Sequence, residues 1–521
     1  MTFRKILLAM AGAAAMAAPA LAQERPEIVV AVPGIYRTME PIAGNSTNAS
    51  RIQNNIFDQI VARNFDEDPE GAELRPALAT SWEQIDDLTW HFKIREGVKF
   101  HNGDTMTAED VAFSIGAERV WGDDSLVPIG KRYTASFADV KALDDTTVEV
   151  KTTINDPNLP YRFITPLGYV VPKDHYLEVG VDAFGQNPIG TGPYKVVGYD
   201  ATGFLKLEAF DDYWGGKPPL AAVEFRAVPE YSARIAGMVA GEFQMMADIP
   251  VDEVPTVQGY DDIDYKSQRI GNYVMVAYNT LELPDFPENP VADVNLRYAM
   301  TSAIDLQSLV KALWGDTTYA PAPFNFPDFP AYYDPNVKPK IPFDPEAAKA
   351  YLEKSGYDGE EFQVNVTRGA YPNFGIAMEF IVEQWNAMGI NARLNVVDSW
   401  PQALQHPFGL LNMSMTTTFD GTPTRAIWGF WGPNSARATR EKDKSWAPPA
   451  EYVALGEQYL AETDTDKKVA LFRQMVDIWE TEQPALMLWR RVANWAVSDD
   501  LEWSPIASSW MLLGPGYVSV K

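Results

Sequence analysis

The chain has 521 residues, a formal charge of −28, 46% hydrophobic and 12% aromatic residues, and no cysteine. That length exceeds what one hydrophobic core sustains, so two or more compact units are expected. Without thiols, disulfides, a thioether lipid anchor, a thiol nucleophile and thiolate metal sites are excluded; the acidity disfavours nucleic acid and anionic lipid as partners and fits solubility in a salt-variable compartment.

In chain order, Arg4 and Lys5 form a basic start, Ile6 to Ala18 an apolar stretch and Ala20-Leu21-Ala22 a small-x-small cleavage site, the pattern of a secretory signal. The mature protein is therefore expected to begin at Gln23 with a charge near −30, outside the cytoplasm, in the periplasm. The apolar stretch falls short of the about 20 residues of a membrane span, and no later stretch reaches that length without charge or proline. No direct membrane anchor is expected.

The local patterns beyond this point are mixed α/β. Ile28 to Val32 reads as a buried strand. Thr89 to Ile94 alternates, with Trp90, Phe92 and Ile94 on one face. A turn at Asn102-Gly103 leads to Thr107 to Asp110, a capping box opening a helix with Ala108, Val111, Ala112 and Ile115 on one side. Asp344 and Pro345 open a helix that Gly356 closes, followed by a strand through Phe362, Val364 and Val366. Met378, Ile381, Val382 and Trp385 then keep helical spacing up to Gly389, and Ile390, Ala392, Leu394 and Val396 alternate as a strand. Strand, helix and strand in this order predict a parallel pair with a crossover helix. No repeat or low-complexity linker marks a domain boundary.

Common catalytic constellations are absent from the sequence. His91, His101, His175 and His406 are scattered without ligand spacing, and there is no nucleophile elbow or Walker loop. Gly190-Thr191-Gly192 starts like a phosphate-binding turn but continues into Pro193, which lacks the N–H such a cradle uses. Pairs such as Asp86-Asp87, Asp123-Asp124 and Asp211-Asp212 read as solvated faces of an acidic chain. The fifteen tryptophans are the more informative excess. Trp400, Trp428 and Trp431 lie in Pro/Gly-rich loops, where they either fill a core or wall a concave site with rigid faces.

Three stretches carry a family likeness: LRPALATSW over 74–82, LTWHFKIREGVKFHNG over 88–103 and TAEDVAFS over 107–114. Together they closely resemble the signature of the extracellular solute-binding proteins of family 5, the group of oligopeptide, dipeptide, nickel and opine receptors. NPIGTGPY over 187–194, Tyr278-Asn279, Leu296 to Ala299 and Ala303 to Asp305 extend the likeness. The resemblance implies an α/β, two-lobed periplasmic binding protein fold of the class II type, with mixed sheets flanked by helices and a discontinuous first lobe holding an inserted subdomain. On that analogy residues 1–22 are the signal peptide, lobe I is 23–270 plus 490–521 with the insert at about 64–183, and lobe II is 271–489. The chain would cross between lobes near Arg269 to Asn279 and Leu486 to Ala496.

The resemblance also implies site residues. In peptide-binding relatives a Trp-x-x-Asp-Tyr-x-x-Pro loop supplies an aspartate for the ligand's α-ammonium. Thr418 to Pro423 is similar to it, which makes Asp420 the candidate, although Thr417 stands where the tryptophan is expected. Trp400 resembles a cleft wall, Tyr36 a first-lobe segment that pairs with extended ligands, and Tyr273 and Trp489 sit at the crossings; Trp428 has no clear counterpart. The implied role is the substrate-binding component of an ABC importer, a monomer that delivers a small solute, a peptide first, to an inner-membrane permease without metal or organic cofactor. An oligosaccharide, an opine or another plant-derived solute stays open as the ligand, and a periplasmic hydrolase as the rival from another class.

Overall fold

The computed structural model describes residues 25–44, 46–284, 286–368, 371–405, 408–416, 421–440 and 444–521. The export segment, His406, Thr417 and Asp420 lie outside the described residues. One mixed sheet of ten strands organises the molecule. Its order runs Ala392–Val397, Phe362–Thr367, Leu410–Thr416, Ile263–Tyr278, Ala485–Ser498, Met245–Ala247, Glu27–Val32, Ala222–Ala227, Phe204–Ala209 and Tyr194–Asp200. A separate antiparallel sheet of four strands joins Ala79–Asp86, Thr89–Ile94, Thr147–Thr152 and Phe137–Asp144, with Thr147–Thr152 between the last and second of these.

Local chemistry accounts for most of these elements. In Thr89–Ile94, Trp90, Phe92 and Ile94 are buried as their alternation requires. Thr107 caps the helix Ala108–Ile115 through the reciprocal contact with Asp110; the buried set includes Phe113, and Ala112 is only half-buried. Asp344 accepts from the Glu346 and Ala347 amides at the start of Pro345–Ser355, and Gly356 ends that helix at φ +65°. Phe362–Thr367 and Ala392–Val397 pair in parallel around the helix Phe374–Ala387, which buries Met378, Ile381, Val382 and Trp385. The alternation expected to bury Val396 fails there, because Ala392–Val397 is the sheet edge and Val396 stays exposed.

The hydrophobic cores divide with the sheet. One cluster draws on residues between Ile28 and Ile270 and between Ala493 and Val518. Two others draw only on residues between Tyr273 and Trp489. Ile263–Tyr278 contributes to both sides, placing Ile270 in the first cluster and Tyr273, Val274 and Val276 in the others. Ala485–Ser498 does the same with Trp489 and Trp495. These two strands pair antiparallel along most of their length, with register shifts between Arg269 and Tyr273 and between Val274 and Met275.

Several groups singled out by the sequence serve packing. A Cβ on Gly190 or Gly192 would lie 2.1 Å and 2.6 Å from the Ile56 backbone, so the glycines permit a close chain crossing. His101 locks the same turn, accepting from the Gly190 amide at 3.2 Å and facing the Gly192 carbonyl at 3.0 Å; burial pushes its ring down to about 4, so it is neutral. Trp431 is fully buried, edge-on to Trp446 and Trp479.

The segment after Glu27–Val32 is held by a buried ion pair. Glu40 accepts from the Ile42 and Ala43 amides at 2.8 Å and 2.6 Å, from Tyr176 at 3.2 Å and from Arg119 at 2.5 Å, and both charged side chains are wholly inaccessible. Removing one partner leaves an uncompensated buried charge. Arg119→Met is therefore expected to destabilise the fold by about 3–5 kcal/mol, read as a lowered urea midpoint. A midpoint equal to wild type would show that the pair contributes nothing.

Candidate functional site

Strand direction locates the site. In the first half of the sheet, Glu27–Val32, Ala222–Ala227 and Met245–Ala247 run parallel, and Met245–Ala247 is antiparallel to Ala485–Ser498 with Met245 opposite Val497 and Ala247 opposite Trp495. Their carboxyl ends thus point toward the second half. There, Phe362–Thr367, Ala392–Val397 and Leu410–Thr416 are parallel, and Leu410–Thr416 runs antiparallel to Ile263–Tyr278 with Leu410 opposite Tyr278 and Thr416 opposite Asn272. Their carboxyl ends point back toward the first half. Ligands of open α/β sheets bind outside the carboxyl ends of strands, and here two such sets of ends oppose each other. Trp495 pairs with Lys266 and Thr416 with Asn272, so the gap spans six residues of the crossing strand, about 20 Å at ~3.3 Å per residue.

The loops leaving these ends carry several of the expected residues. Tyr36 follows Val32; it is half-buried against the first core, and its carbonyl accepts from the Tyr199 hydroxyl. Trp400 follows Val397 at the start of the short helix Trp400–Ala403 and is 37% exposed. Asp420 belongs to the segment after Thr416, outside the described residues. The other three are packed. Tyr273 is fully buried, stacked on Phe326 at 3.9 Å and donating to Asp328 at 2.8 Å. Trp489 lies against Trp314 at 4.4 Å and Phe374 at 6.0 Å. Trp428 is half-buried, stacked on Tyr452 at 6.2 Å.

The floor of the gap is charged. Arg490 is almost inaccessible and donates to the Ile270 carbonyl at 3.1 Å and to Glu70 at 3.2 Å and 2.5 Å, with Asp328 at 3.6 Å. Burial alone would depress its guanidinium, but Tyr273, Asp328 and Glu70 outweigh that and push it up. Glu70 comes from the first half of the molecule and Asp328 from the second, so one cation joins both to the crossing strand. Asp248, directly after Met245–Ala247, adopts φ +60°, a conformation aspartate tolerates, while its amide donates to the Asn494 carbonyl at 3.1 Å. It pairs with Arg51 at 2.5 Å. Across the gap, a Cβ on Gly421 would lie 2.5 Å from the Tyr161 ring. The two halves therefore meet at Gly421 and Tyr161 as well as at Arg490 and Glu70.

Similarity to known proteins agrees with this geometry. The family model described as bacterial extracellular solute-binding proteins, family 5 Middle, matches residues 73–437. The chain belongs to that family. Family 5 proteins are solute-binding components of ABC importers, periplasmic or extracellular, and this chain has the receptor role. Among its relatives, heme-binding protein A of Haemophilus influenzae is 25% identical over 90% of this chain and 84% of its own length. The dipeptide-binding protein of Escherichia coli is 25% identical over 80% and 81%. The oligopeptide-binding protein AppA of Bacillus subtilis, solved with a nonapeptide, superposes with a TM-score of 0.76 at 21% identity, covering 96% of this chain and 99% of that one, and shares the two-domain periplasmic binding protein fold. Among the described residues no helix is long and apolar enough to cross a membrane, and no group of three or more His, Cys, Asp or Glu could hold a metal ion.

The sequence reading missed Glu70, Asp248 and Arg490. One signal was available: Ala485–Ser498 is apolar except for Arg490, Arg491, Asn494 and its terminal serine, and adjacent charges in a buried strand need partners or a task. Gly421→Val should preserve the circular dichroism spectrum yet raise the radius of gyration in solution scattering, because the loop can no longer approach Tyr161. A radius equal to that of wild type would show that this contact does not hold the halves together.

Proposed function

We propose that the protein is a periplasmic receptor that captures a short peptide in the gap between its lobes and presents it to an inner-membrane ABC permease. The observation that carries this is the opposition of two sets of strand carboxyl ends across two crossing strands, in a family whose relatives include a dipeptide-binding protein and a fold-mate solved with a nonapeptide. In this reading lobe I comprises residues 23–270 and 490–521, with the insert at about 64–183, and lobe II comprises 271–489. Residues 1–22 direct export and are removed after Ala22. The mature protein acts as a monomer without a membrane anchor and catalyses nothing.

Capture follows from simple requirements. An extended peptide satisfies its main chain along the loop containing Tyr36, while side chains enter hydrated space. Its ammonium needs an anion once desolvated, the role proposed for Asp420. Because the solute touches both lobes only when they are together, it shifts the population toward that arrangement, which the permease reads. Trp400 supports a second reading: a broad, exposed aromatic face beside the gap also suits a sugar or opine.

Native mass spectrometry of protein purified without refolding should show a co-purified peptide, and Asp420→Ala should weaken peptide binding at least tenfold in calorimetry. Unchanged affinity in that variant would remove Asp420 from the site. A co-purified sugar, or peptide turnover by the pure protein, would replace this reading.

A further inference from the structure

Arg490 and Arg491 are neighbours on the same crossing strand but are treated differently. Successive strand residues face opposite sides of a sheet. Arg490 is neutralised by Glu70 and Asp328. Arg491 has no carboxylate within 4.0 Å among the described residues, and its buried Nε makes no hydrogen bond. Its guanidinium lies over Tyr371, whose ring centroid is 5.5 Å from the guanidinium carbon. Tyr371 belongs to the loop after Phe362–Thr367, and Asp248, directly after Met245–Ala247, and its partner Arg51 in the helix Thr47–Gln53 act on Arg491 electrostatically from lobe I. Arg491 therefore sits at the base of the gap, within the influence of both lobes.

The carboxylate that acts on Arg491 is already shared. Asp248 is already engaged by Arg51 at 2.5 Å, and its carbonyl accepts from Arg234 at 3.0 Å. Asp248 thus acts on three guanidiniums at once, Arg51, Arg234 and Arg491, and is in direct ion-pair contact only with Arg51 among the described residues. Burial depresses the Arg491 guanidinium; Tyr371 and Asp248 pull it back up and Arg51 pushes it further down. A half-buried cation with an aromatic face beneath it and no carboxylate in direct contact among the described residues is poised to accept a planar anion through its fork of N–H donors.

We infer that Arg491, backed by Tyr371, is the subsite for a carboxylate of the captured solute. This inference rests on the gap being the solute site and narrows the solute to an acid. On the peptide reading the carboxylate is the C-terminus or an acidic side chain. Binding then neutralises a cation on the crossing strand that has no carboxylate within 4.0 Å among the described residues, next to Tyr371 of lobe II and within the electrostatic reach of Asp248 of lobe I. Recognition and lobe approach are thereby coupled through a residue on the hinge.

The test uses yeast extract freed of macromolecules, offered untreated and after methyl esterification, which blocks carboxylates. Solutes retained by the full mature protein are identified by native mass spectrometry for wild type, Arg491→Gln and Arg491→Lys. The expected result is an acid retained by wild type, lost at least tenfold in Arg491→Gln at an unchanged unfolding midpoint, partly kept in Arg491→Lys, and absent from the esterified extract. Individual C-terminal amides of a retained peptide then distinguish C-terminal from side-chain carboxylate. Retention of a carboxylate-free solute, equal retention of esterified material, or undiminished binding by Arg491→Gln overturns the inference and leaves the receptor reading standing. A non-peptide acid overturns the peptide reading alone. Retention of nothing by wild type contradicts the receptor reading and the inference with it.

Discussion

The antiparallel pairing of Ile263–Tyr278 with Ala485–Ser498 is the constraint on which the other features depend. It is the ladder at which the two halves of the ten-stranded sheet join, and it fixes their mutual orientation. Because Met245–Ala247 pairs with one crossing strand and Leu410–Thr416 with the other, both parallel sets must aim their carboxyl ends inward. The binding gap is thus a consequence of strand direction before any side chain is considered. The register shifts between Arg269 and Tyr273 and between Val274 and Met275 fall where the first core gives way to the others. Irregular pairing there suits a hinge, since a few residues can absorb a dihedral change while packed cores on either side move as bodies.

Charge is distributed along this join in two ways. Arg490 is buried and compensated from both lobes, so it holds the crossing in place; loss of Glu70 would expose the cost of burying it. Arg491 is left to Tyr371 and to a shared, already occupied Asp248, so it is available to a solute. The aromatic residues divide similarly. Tyr273, Trp489 and Trp431 pack their faces on Phe326, Trp314 and neighbouring tryptophans, whereas Trp400, at the start of a short helix after Val397, stays partly exposed.

Much of this architecture was legible locally. Alternation over Thr89–Ile94, the Asp344 and Pro345 start, the Gly356 and Gly389 stops and the parallel pair around Phe374–Ala387 all follow from near-neighbour rules. The family likeness over 74–114 supplied the two-lobed fold that no local rule gives. What stayed hidden depends on distant pairing. Which face of Trp489 is covered is decided by Trp314, 175 positions away, and whether Arg491 has a counter-ion is decided by Arg51 competing for Asp248. Val396 misled because alternation reports a strand but not whether it lies at an edge.

The central claim is that two lobes joined by these strands approach each other around a solute. The absence of native cysteine makes a clean test possible, because one dye can be attached in each lobe through Ile154→Cys and Ile376→Cys, both exposed positions. Single-molecule energy transfer between them, recorded before and after adding an enzymatic casein digest, reports the separation directly. A shorter separation that reverts when the digest is washed out is the predicted result. An unchanged separation while the protein demonstrably retains a digest component would contradict capture by lobe approach.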